Sequence, residues 1–587
     1  MSMDNGLWMQ ARALALCALT GLVACVSAGS KDQLRSAQSD ASIEAQRDVA
    51  IGLAQLGDVA MEAGDLLAAR ARYEQSLTVF MKLAQANPSS AQAQRDLSVN
   101  LNQLGDVATQ ADDLPAAKAL FEQSFAIRQK LAQANPSSAE AQRDLSTSLY
   151  QLGTVAARAS DLASAKARFE QSLVIRQKLA QANPSSAEAQ RDLSVGLNQL
   201  GTVAAQTGDL PAARARFEQS LAIAQKLAQA NPSSTQAQRD LSFCLDKLGN
   251  LAVQTGDLPA ATARFKQSLA IAQKLAQANP SSAEAQRDLN ISLLQLGDLA
   301  LQAGDLPAAT ARFEQSFEIS QKLAQDAPSA QAQRDLSISL DKLGTVALEA
   351  GDLPAATARF EQSFEISQKL AQDAPSSAEA QRDLSVGLNQ LGTVALQADD
   401  RSAAKARFEQ WFAISQKLAQ ANPSSTQAQR DLSFCLSQLG TVALRADDRS
   451  AAKARFEQSF AIRQKLAQAN PTSAEAQRDL GVSLSQLGDV AMEAGDLPSA
   501  TARFEQSFAI RQKLALANPS SAQAQRDLGV SLYKLGAIAL KAGSPSTAKP
   551  RLDESMKIFK KLDQNGALRP SDREILDSLA GMLKSLH

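Results

Sequence analysis

The sequence predicts an all-α fold, a right-handed α-solenoid of eleven antiparallel helix pairs followed by a C-terminal capping helix. A Leu-Gly pair recurs in eleven near-copies of one stretch, every 48 residues except for one step of 47 between Gly297 and Gly344. The apolar residues of each copy are spaced by three and four residues, which is the pattern of one face of an α-helix. Repeats of this length are typical of solenoids, in which each repeat buries its apolar face against its neighbours.

Four parts are predicted along the chain. Residues 1–25 are interpreted as a signal peptide with a lipobox, and residues 26–40 as a flexible polar tether. Residues 41–567 form the solenoid, and residues 568–587 form the capping helix. The capping helix is expected to cover the open end of the array with Ile575, Leu579 and Leu583, because a solenoid needs a terminal cap for solubility.

The N-terminal segment differs in character from the repeats. Arg12 precedes an apolar run, Ala13–Ala24, that is too short to span a bilayer about 30 Å thick but suits the core of a secretory signal. The run ends in Leu22-Val23-Ala24-Cys25, which resembles the lipobox of bacterial lipoproteins. This resemblance implies that Cys25 is acylated and becomes the first residue of the mature chain.

The lipobox favours a location in the bacterial cell envelope, anchored in the outer membrane and facing the periplasm. Val26 follows the cysteine, where an aspartate would resemble an inner-membrane retention signal. Two alternatives stay open. Cleavage after Ala28 would release a soluble periplasmic or secreted protein, and an uncleaved N-terminus would leave the protein in the cytosol.

One repeat, residues 185–232, shows why two helices are expected in each copy. Ser185 and Glu188 have the spacing of a capping box at the start of the first helix. Gly208 is the expected C′ residue of that helix, and Asp209 is the expected N-cap of the second. Because the connecting turns are short, the two helices must lie antiparallel.

Five residues of this repeat have the spacing of the tetratricopeptide repeat, W-x-x-L-G followed by A-x-x-x-F. They are Leu197, Leu200, Gly201, Ala213 and Phe217, with Leu197 in the place of the tryptophan. Residues 41–567 are therefore similar to a long bacterial variant of this family. The resemblance implies that the glycine lets the second helix approach closely, that the phenylalanine fills the gap between the helices, and that the partners are other proteins or peptides.

Charge and residue types argue against an enzyme and against a nucleic-acid-binding protein. The chain has 60 Lys+Arg and 61 Asp+Glu, spread over the repeats, which indicates a solvated mixed-charge surface without a basic footprint. The single histidine is His587, so the repeats hold no Ser-His-Asp triad and no histidine zinc site. We therefore predict no catalytic residues, no cofactor and no metal site.

Two irregular features are expected to be local. Trp411 stands where other repeats have serine, and it is either an exposed aromatic anchor or a substitution tolerated in a redundant repeat. The 47-residue step comes from the turn at residues 327–331, which lacks one serine.

Cys244 and Cys435 occupy equivalent positions in different repeats, too far apart for a disulfide, and are expected to be small packing residues.

The family resemblance implies a concave face formed mainly by the first helices. Its exposed positions lie three residues before and one residue after the Leu-Gly glycine, and they are mostly neutral polar or acidic. The lysines used by carboxylate-clamp members are missing, which favours an extended or cationic partner. The candidate groove residues are Asn102, Tyr150, Asn198, Asp246, Asp341, Asn389, Asp298 and Thr345.

The predicted function is a non-enzymatic protein–protein interaction scaffold of the bacterial cell envelope, anchored by Cys25. The first alternative is a soluble periplasmic or cytosolic regulatory or adaptor protein. The second is an accessory subunit of an enzyme or signalling complex. The sequence leaves the partner and the oligomeric state undefined.

Overall fold

The computed structural model describes residues 31–375, 377–565 and 568–586, and every regular element in them is an α-helix. The chain divides into two compact bodies, residues 1–104 and 105–587, with the boundary inside α3. The first body contains α1 (Lys31–Glu62), α2 (Leu66–Ala86) and most of α3 (Ala91–Gln110).

The second body continues with helices that alternate along the repeat, so that odd-numbered helices are the first helices of repeats and even-numbered ones the second. They are α4 (Leu114–Ala134), α5 (Ala139–Arg158), α6 (Leu162–Ala182), α7 (Ala187–Gln206), α8 (Leu210–Ala230), α9 (Thr235–Thr255), α10 (Leu258–Ala278), α11 (Ala283–Gln302), α12 (Leu306–Asp326), α13 (Ala330–Glu349), α14 (Leu353–Asp373), α15 (Ala378–Gln397), α16 (Arg401–Ala421), α17 (Thr426–Arg445), α18 (Arg449–Ala469), α19 (Ala474–Glu493), α20 (Leu497–Ala517), α21 (Ala522–Lys541), α22 (Pro545–Gln564) and α23 (Pro570–Lys584). Helix α1 packs on α2, each helix from α4 to α23 packs on the next, and the predicted all-α solenoid of helix pairs is confirmed.

The contact between glycine and phenylalanine forms the core of most repeats, with Tyr73 in the first and Leu552 in the last in place of the phenylalanine. A Cβ placed on Gly201 would lie 2.5 Å from a ring carbon of Phe217, and the same conflict recurs at Gly153 with Phe169. Phe217 is only 3% exposed. The glycine therefore makes room for the ring, as the family resemblance implies.

The helix caps agree with the sequence in kind but not always in position. The N-cap of α7 is Ser186, whose Oγ accepts from Ala189 N at 3.1 Å, so the expected capping box of Ser185 and Glu188 is wrong. Ser185 instead donates to Asn183 Oδ1 at 2.9 Å within the turn, and Glu188 pairs with Arg143 of the preceding repeat. Asp209 caps α8 as predicted, accepting from Ala212 N at 3.1 Å.

Arginine and aspartate side chains join each first helix to the next, which corrects the view that these charges are merely solvated. In eight repeats the Nε of the arginine in the Q-R-D sequence lies 2.5 to 2.8 Å from the aspartate Oδ2 of the following repeat, whereas Arg382 Nε lies 3.8 Å from Asp431 Oδ2 and Arg382 donates to Asp112 instead. We call this series the Arg–Asp ladder; its pairs are Arg47–Asp96, Arg143–Asp192, Arg191–Asp240, Arg239–Asp288, Arg287–Asp335, Arg334–Asp383, Arg430–Asp479 and Arg478–Asp527.

The predicted tether is shorter than expected. Residues 31–40 were assigned to it on polarity, but they belong to α1. This segment lacks glycine and proline and contains Lys, Gln, Leu, Arg and Ala, which all favour a helix. Residues 26–30 lie outside the described residues.

The shortened turn changes one cap and leaves the packing in place. Ser329 caps α13 with φ −145° and ψ 159°, whereas Ser282 and Ser377 cap equivalent helices near −75° and 106–112°. The ladder pair of Arg287 with Asp335 is kept at 2.7 Å. A change in the backbone dihedral angles of the turn therefore compensates for the missing residue.

The last helix, α23, covers the end of the array. Leu579 is fully buried and lies in one cluster with Phe559 and Leu562 of α22. Asp572 accepts from Arg526 Nε at 2.8 Å and from Arg569 N at 2.9 Å, and the side chains of Arg526 and Asp572 are only 9% and 4% exposed. A buried ion pair and an apolar cluster thus fix this helix.

Within the second body, residues that are far apart in the sequence contact each other. Asp112, in the turn after α3, accepts from Arg382 Nη2 at 3.0 Å and from Ser425 Oγ at 2.9 Å, although 313 residues separate Asp112 from Ser425. Asn422 Nδ2 donates to the Asp112 backbone oxygen.

None of the helices that the structure describes is both long and apolar enough to cross a membrane.

Candidate partner-binding face of the first helices

Seven of the eight candidate groove residues lie on first helices of the second body. They are Tyr150 on α5, Asn198 on α7, Asp246 on α9, Asp298 on α11, Asp341 and Thr345 on α13, and Asn389 on α15. Asn102 lies on α3 within the first body. The common surface of the odd-numbered helices of the second body is called the first-helix face below.

Two of the candidate residues are not exposed, contrary to expectation. Asn102 and Asn198 are only 6% and 5% exposed, and the other six are half-buried. Asn198 Nδ2 donates to the buried Cys244 Sγ of the next repeat at 3.5 Å. The close approach of adjacent first helices, which a single repeat does not reveal, buries the Asn198 amide.

Hydrogen bonds between successive repeats form a polar row on this face. In several pairs of adjacent repeats, the residue three before the glycine forms a hydrogen bond with the residue two before the glycine of the next repeat. Gln199 Nε2 donates to Tyr150 Oη at 2.9 Å, and Ser437 Oγ donates to Gln486 Oε1 at 2.6 Å. The polar row therefore consists of hydrogen bonds between neighbouring first helices. This pairing was not predicted from the sequence.

Candidate residues one position after the glycine are also engaged. Asp298 Oδ1 accepts from Lys342 Nζ at 2.7 Å. Thr345 donates its hydroxyl to the backbone oxygen of Asp341 at 2.8 Å, within its own helix. These side chains are held in place before any partner arrives.

Burial alters the protonation of three carboxyl groups in this region. It raises the pKa of Asp106, Asp246 and Asp341 to about 6 in each case. Desolvation disfavours the charged form, and the neighbouring hydrogen bonds only partly oppose it. The negative charge of the first-helix face therefore depends on pH near neutrality.

An apolar row runs beside the polar row and was missed by sequence reasoning. Its members lie six residues before the glycine on five consecutive first helices, and their side chains are 42 to 49% exposed. The sequence contained a signal for this row. The position six residues before the glycine does not lie on the buried face of the helix, but it holds an apolar residue in these five repeats. The apolar row consists of Phe243, Ile291, Ile338, Val386 and Phe434.

The two rows and the Arg–Asp ladder share one face of each helix. On α9, Arg239, Phe243, Asp246 and Asn250 follow spacings of four, three and four residues. Arg239 is held by Asp288 through contacts of 2.5 and 3.0 Å. The face thus offers apolar surface between an ion-paired border and a polar, partly acidic border, which suits binding.

The described residues contain no group of three or more His, Cys, Asp or Glu side chains that could hold a metal ion. Cys435 is fully buried and donates to Phe408 O at 3.2 Å, and burial raises the pKa of its thiol. Cys244 is also buried and free.

Trp411 is a core residue and not an exposed anchor. It is 5% exposed and packs with Phe408 and Cys435 in one cluster. Its ring centroid lies 6.2 Å from that of Phe408. The predicted lipidation site, Cys25, lies outside the described residues.

Comparisons with known proteins agree with the repeat architecture. Two models described as tetratricopeptide repeat match the chain, one at residues 55–125 and 485–542 and the other at residues 196–232. A search of curated proteins gives no match.

Similar solved structures are distant. BtubC from P. vanneervenii is 17% identical, with a TM-score of 0.35 over 44% of this chain and 92% of that one. A monomeric IFIT1 mutant with m7Gppp-AAAA is 13% identical, with a TM-score of 0.38 over 78% and 90%. A Rap protein complexed with competence and sporulation factor is 11% identical, with a TM-score of 0.39 over 73% and 99%.

These structures carry no argument about the function of this chain, because their TM-scores lie below 0.5. The family matches do bear on its identity. They fall near both ends and in the middle of an array whose helix pair is repeated throughout. The chain therefore contains tetratricopeptide repeats.

Proposed function

We propose that this protein is a non-enzymatic scaffold that holds an extended or cationic segment of a partner protein on its first-helix face. Tetratricopeptide repeats are protein-interaction modules, and that coarse role follows from the family. The observation that carries the finer proposal is the apolar row, since large apolar side chains exposed in line mark an interaction surface. Asp246 and Asp341, on the same helices, supply acceptors and negative charge for a cationic segment.

Charge reversal of the polar row tests this proposal. The full chain is compared with the Asp246→Lys/Asp341→Lys variant for binding to a fluorescent peptide of alternating lysine and leucine. We expect affinity to fall at least about tenfold, because each reversed charge repels a lysine of the peptide. Glu218→Lys, an exposed reversal on second helix α8, is the matched control. Equal affinity of the double variant and the control would contradict the proposal.

The location proposed for this scaffold is the bacterial cell envelope, with a lipid on Cys25 anchoring it in the outer membrane. The support is the apolar run that ends in Leu22-Val23-Ala24-Cys25. Mass spectrometry of the mature N-terminus tests it, with Cys25→Ser as the control. An unmodified Met1, or acylation that persists in Cys25→Ser, would contradict the lipoprotein proposal.

Two other roles are tested by the same measurements. A soluble periplasmic or cytosolic adaptor would keep the peptide-binding face but lack the lipid on Cys25. An accessory subunit of an enzyme or signalling complex would co-purify with a catalytic partner, which proximity labelling in the native cell followed by purification of the complex detects.

A further inference from the structure

The first-helix face holds two pairs of side chains whose buried oxygens have no hydrogen-bond donor. Asp246 and Asp341 lie within hydrogen-bonding reach of Gln295 and Gln390, respectively, in the following repeats. In each pair, the aspartate Oδ1 and the glutamine Oε1 are inaccessible to solvent and have no partner. A buried acceptor without a donor destabilises the folded protein, because it has lost its hydrogen bonds to water. Both pairs have the same unpaired oxygens. This indicates a hydrogen-bond donor whose hydrogen atom cannot be seen from the positions of the non-hydrogen atoms.

The same two positions in nearby repeats show what the missing donor is. Ser437 occupies the position of Asp246, and its hydroxyl donates to the Oε1 of Gln486 at 2.6 Å. Asn389 also occupies that position, but its Oδ1 accepts from the Nε2 of Gln438 at 3.5 Å. A glutamine at this site therefore presents its oxygen to a donor and its nitrogen to an acceptor. A protonated carboxyl would donate a hydrogen bond to the glutamine Oε1, as the Ser437 hydroxyl does.

We propose that Asp246 and Asp341 each hold a proton that the carboxyl donates to Gln295 or Gln390, and that release of these protons strengthens binding of a cationic segment to the first-helix face. The second half of this inference rests on the proposed function. When the proton leaves, the glutamine amide turns over and donates its Nε2–H to the carboxylate, as Gln438 does to Asn389.

The surroundings of both carboxyls support protonation near neutral pH. Hydrogen bonds with Ser268 on α10 and with Gln295 favour the charged form of Asp246, and Lys247 does so to a smaller extent, whereas Asp288 on α11 opposes it. Asp288 is itself bound to Arg239. Burial outweighs these contacts and raises the pKa of Asp246 to about 6.

The second pair has the same composition. Hydrogen bonds with Ser363 on α14 and with Gln390 favour the charged form of Asp341, as does Lys342, whereas Asp383 on α15 opposes it. Asp383 is bound to Arg334 at 2.7 Å. Burial again dominates and raises the pKa of Asp341 to about 6.

Proton release would act directly on the proposed binding surface. Phe243 and Ile338 of the apolar row lie three residues before Asp246 and Asp341 on the same helix faces. Ionisation of both carboxyls adds two negative charges beside the apolar row. A segment with lysine or arginine side chains should therefore bind more tightly as the pH rises through about 6.

Carbon-13 NMR of the full chain, labelled at the aspartate carboxyl carbon, tests the proton sites without any partner. Signals that disappear in Asp246→Asn and in Asp341→Asn identify the two groups, and Asp399→Asn, which removes an exposed carboxyl, must leave both in place. We expect both signals to titrate with midpoints near pH 6. Midpoints below pH 4.5 would overturn the assignment of protons.

The alternating lysine–leucine peptide tests the consequence for binding, with dissociation constants measured at pH 5.0 and 7.5. We expect the full chain to bind about tenfold more tightly at pH 7.5, and Asp246→Asn/Asp341→Asn to bind weakly at both pH values. Binding that does not change with pH would overturn the linkage. Midpoints near pH 6 without peptide binding at any pH would instead overturn the proposed function and keep the proton sites.

Discussion

The Leu-Gly glycine is the residue on which the packing of each repeat depends. At Gly201 a methyl group would lie 2.5 Å from the ring of Phe217, and Phe217 is buried on all sides. The ring cannot move aside without disturbing both helices. The repeated glycine is thus required by a specific contact and not by backbone flexibility.

Substitution Gly201→Ala should therefore destabilise the protein by about 1–3 kcal/mol, the usual cost of overpacking a core. Gly52→Ala is the control, because a Cβ at Gly52 meets no atom within 4 Å. That change should instead stabilise α1 by up to about 1 kcal/mol, since alanine favours helix. Urea unfolding monitored by circular dichroism measures both variants. Equal stabilities would contradict the packing argument.

Asp106 provides a pH test at a third carboxyl, which is exposed to solvent although neighbouring atoms partly desolvate it. Burial raises its pKa from 3.8 to about 6, so the folded protein holds a proton between these pH values that the unfolded chain has lost. The stability associated with this group is complete below pH 3.8 and is lost as the pH rises through about 6.

Substitution Asp106→Asn should consequently raise stability slightly at pH 7.5, by less than about 1 kcal/mol because solvent screens this exposed group, and leave it unchanged at pH 3.5. The amide keeps an oxygen that can accept from Gln151 Nε2, which lies 3.4 Å from Asp106 Oδ1. Urea unfolding midpoints at the two pH values give the result. A lower midpoint at pH 7.5 would show that the ionised carboxylate is stabilising.

At the scale of helices, ion pairs differ in importance because they differ in burial. The ladder pairs are mostly part-exposed, as in Asp192, which is 24% exposed, whereas Asp572 is 4% exposed. Surface ion pairs contribute about 0–1 kcal/mol, but a buried charge that loses its partner costs about 3–5 kcal/mol. The cap helix α23 is therefore more sensitive than any single ladder pair.

Substitution Asp572→Ala should release α23, because it leaves Arg526 buried without its carboxylate and removes the acceptor for Arg569 N. We expect faster hydrogen exchange in residues 570–584 and a loss of about 3–5 kcal/mol in that helix. Asp192→Ala is the matched control, with an expected cost of about 1 kcal/mol or less. Unchanged exchange in α23 would contradict this view.

At the scale of the second body, contacts far apart in sequence decide how tightly the array coils. Asp112 has a left-handed φ of 59° and bonds to Arg382 and Ser425. Asp399 occupies the same turn position with φ 57°, but its side chain pairs with the nearby Arg401. The two residues therefore share the local strain and differ in the distant contact.

Glycine at these two positions separates the two effects. Asp399→Gly should gain about 1–2 kcal/mol, because glycine adopts a left-handed φ without penalty. Asp112→Gly should gain less and should also increase the radius of gyration measured by small-angle X-ray scattering, since the bonds to Arg382 and Ser425 are lost. An unchanged radius would show that other contacts hold the coil.

By itself, the sequence determined the helix pairs, the family and the core contact of glycine with phenylalanine. These properties are local or repeat at a fixed interval, so residues such as Gly201, Phe217 and Asp209 show them directly. Adjacent serines were less informative, because Ser185 and Ser186 both suit an N-cap and only the turn geometry selects the second.

Only the tertiary structure decided how repeats meet. The pairing of Arg143 with Asp192, the burial of Asn198 and the exposure of Phe243 depend on the distance and rotation between neighbouring first helices. One repeat does not fix those quantities, because they arise from packing summed over both helices of each pair. The sequence thus placed the candidate residues on the first helices, whereas the exposure of the apolar row and the surroundings of the carboxyls were defined by the fold.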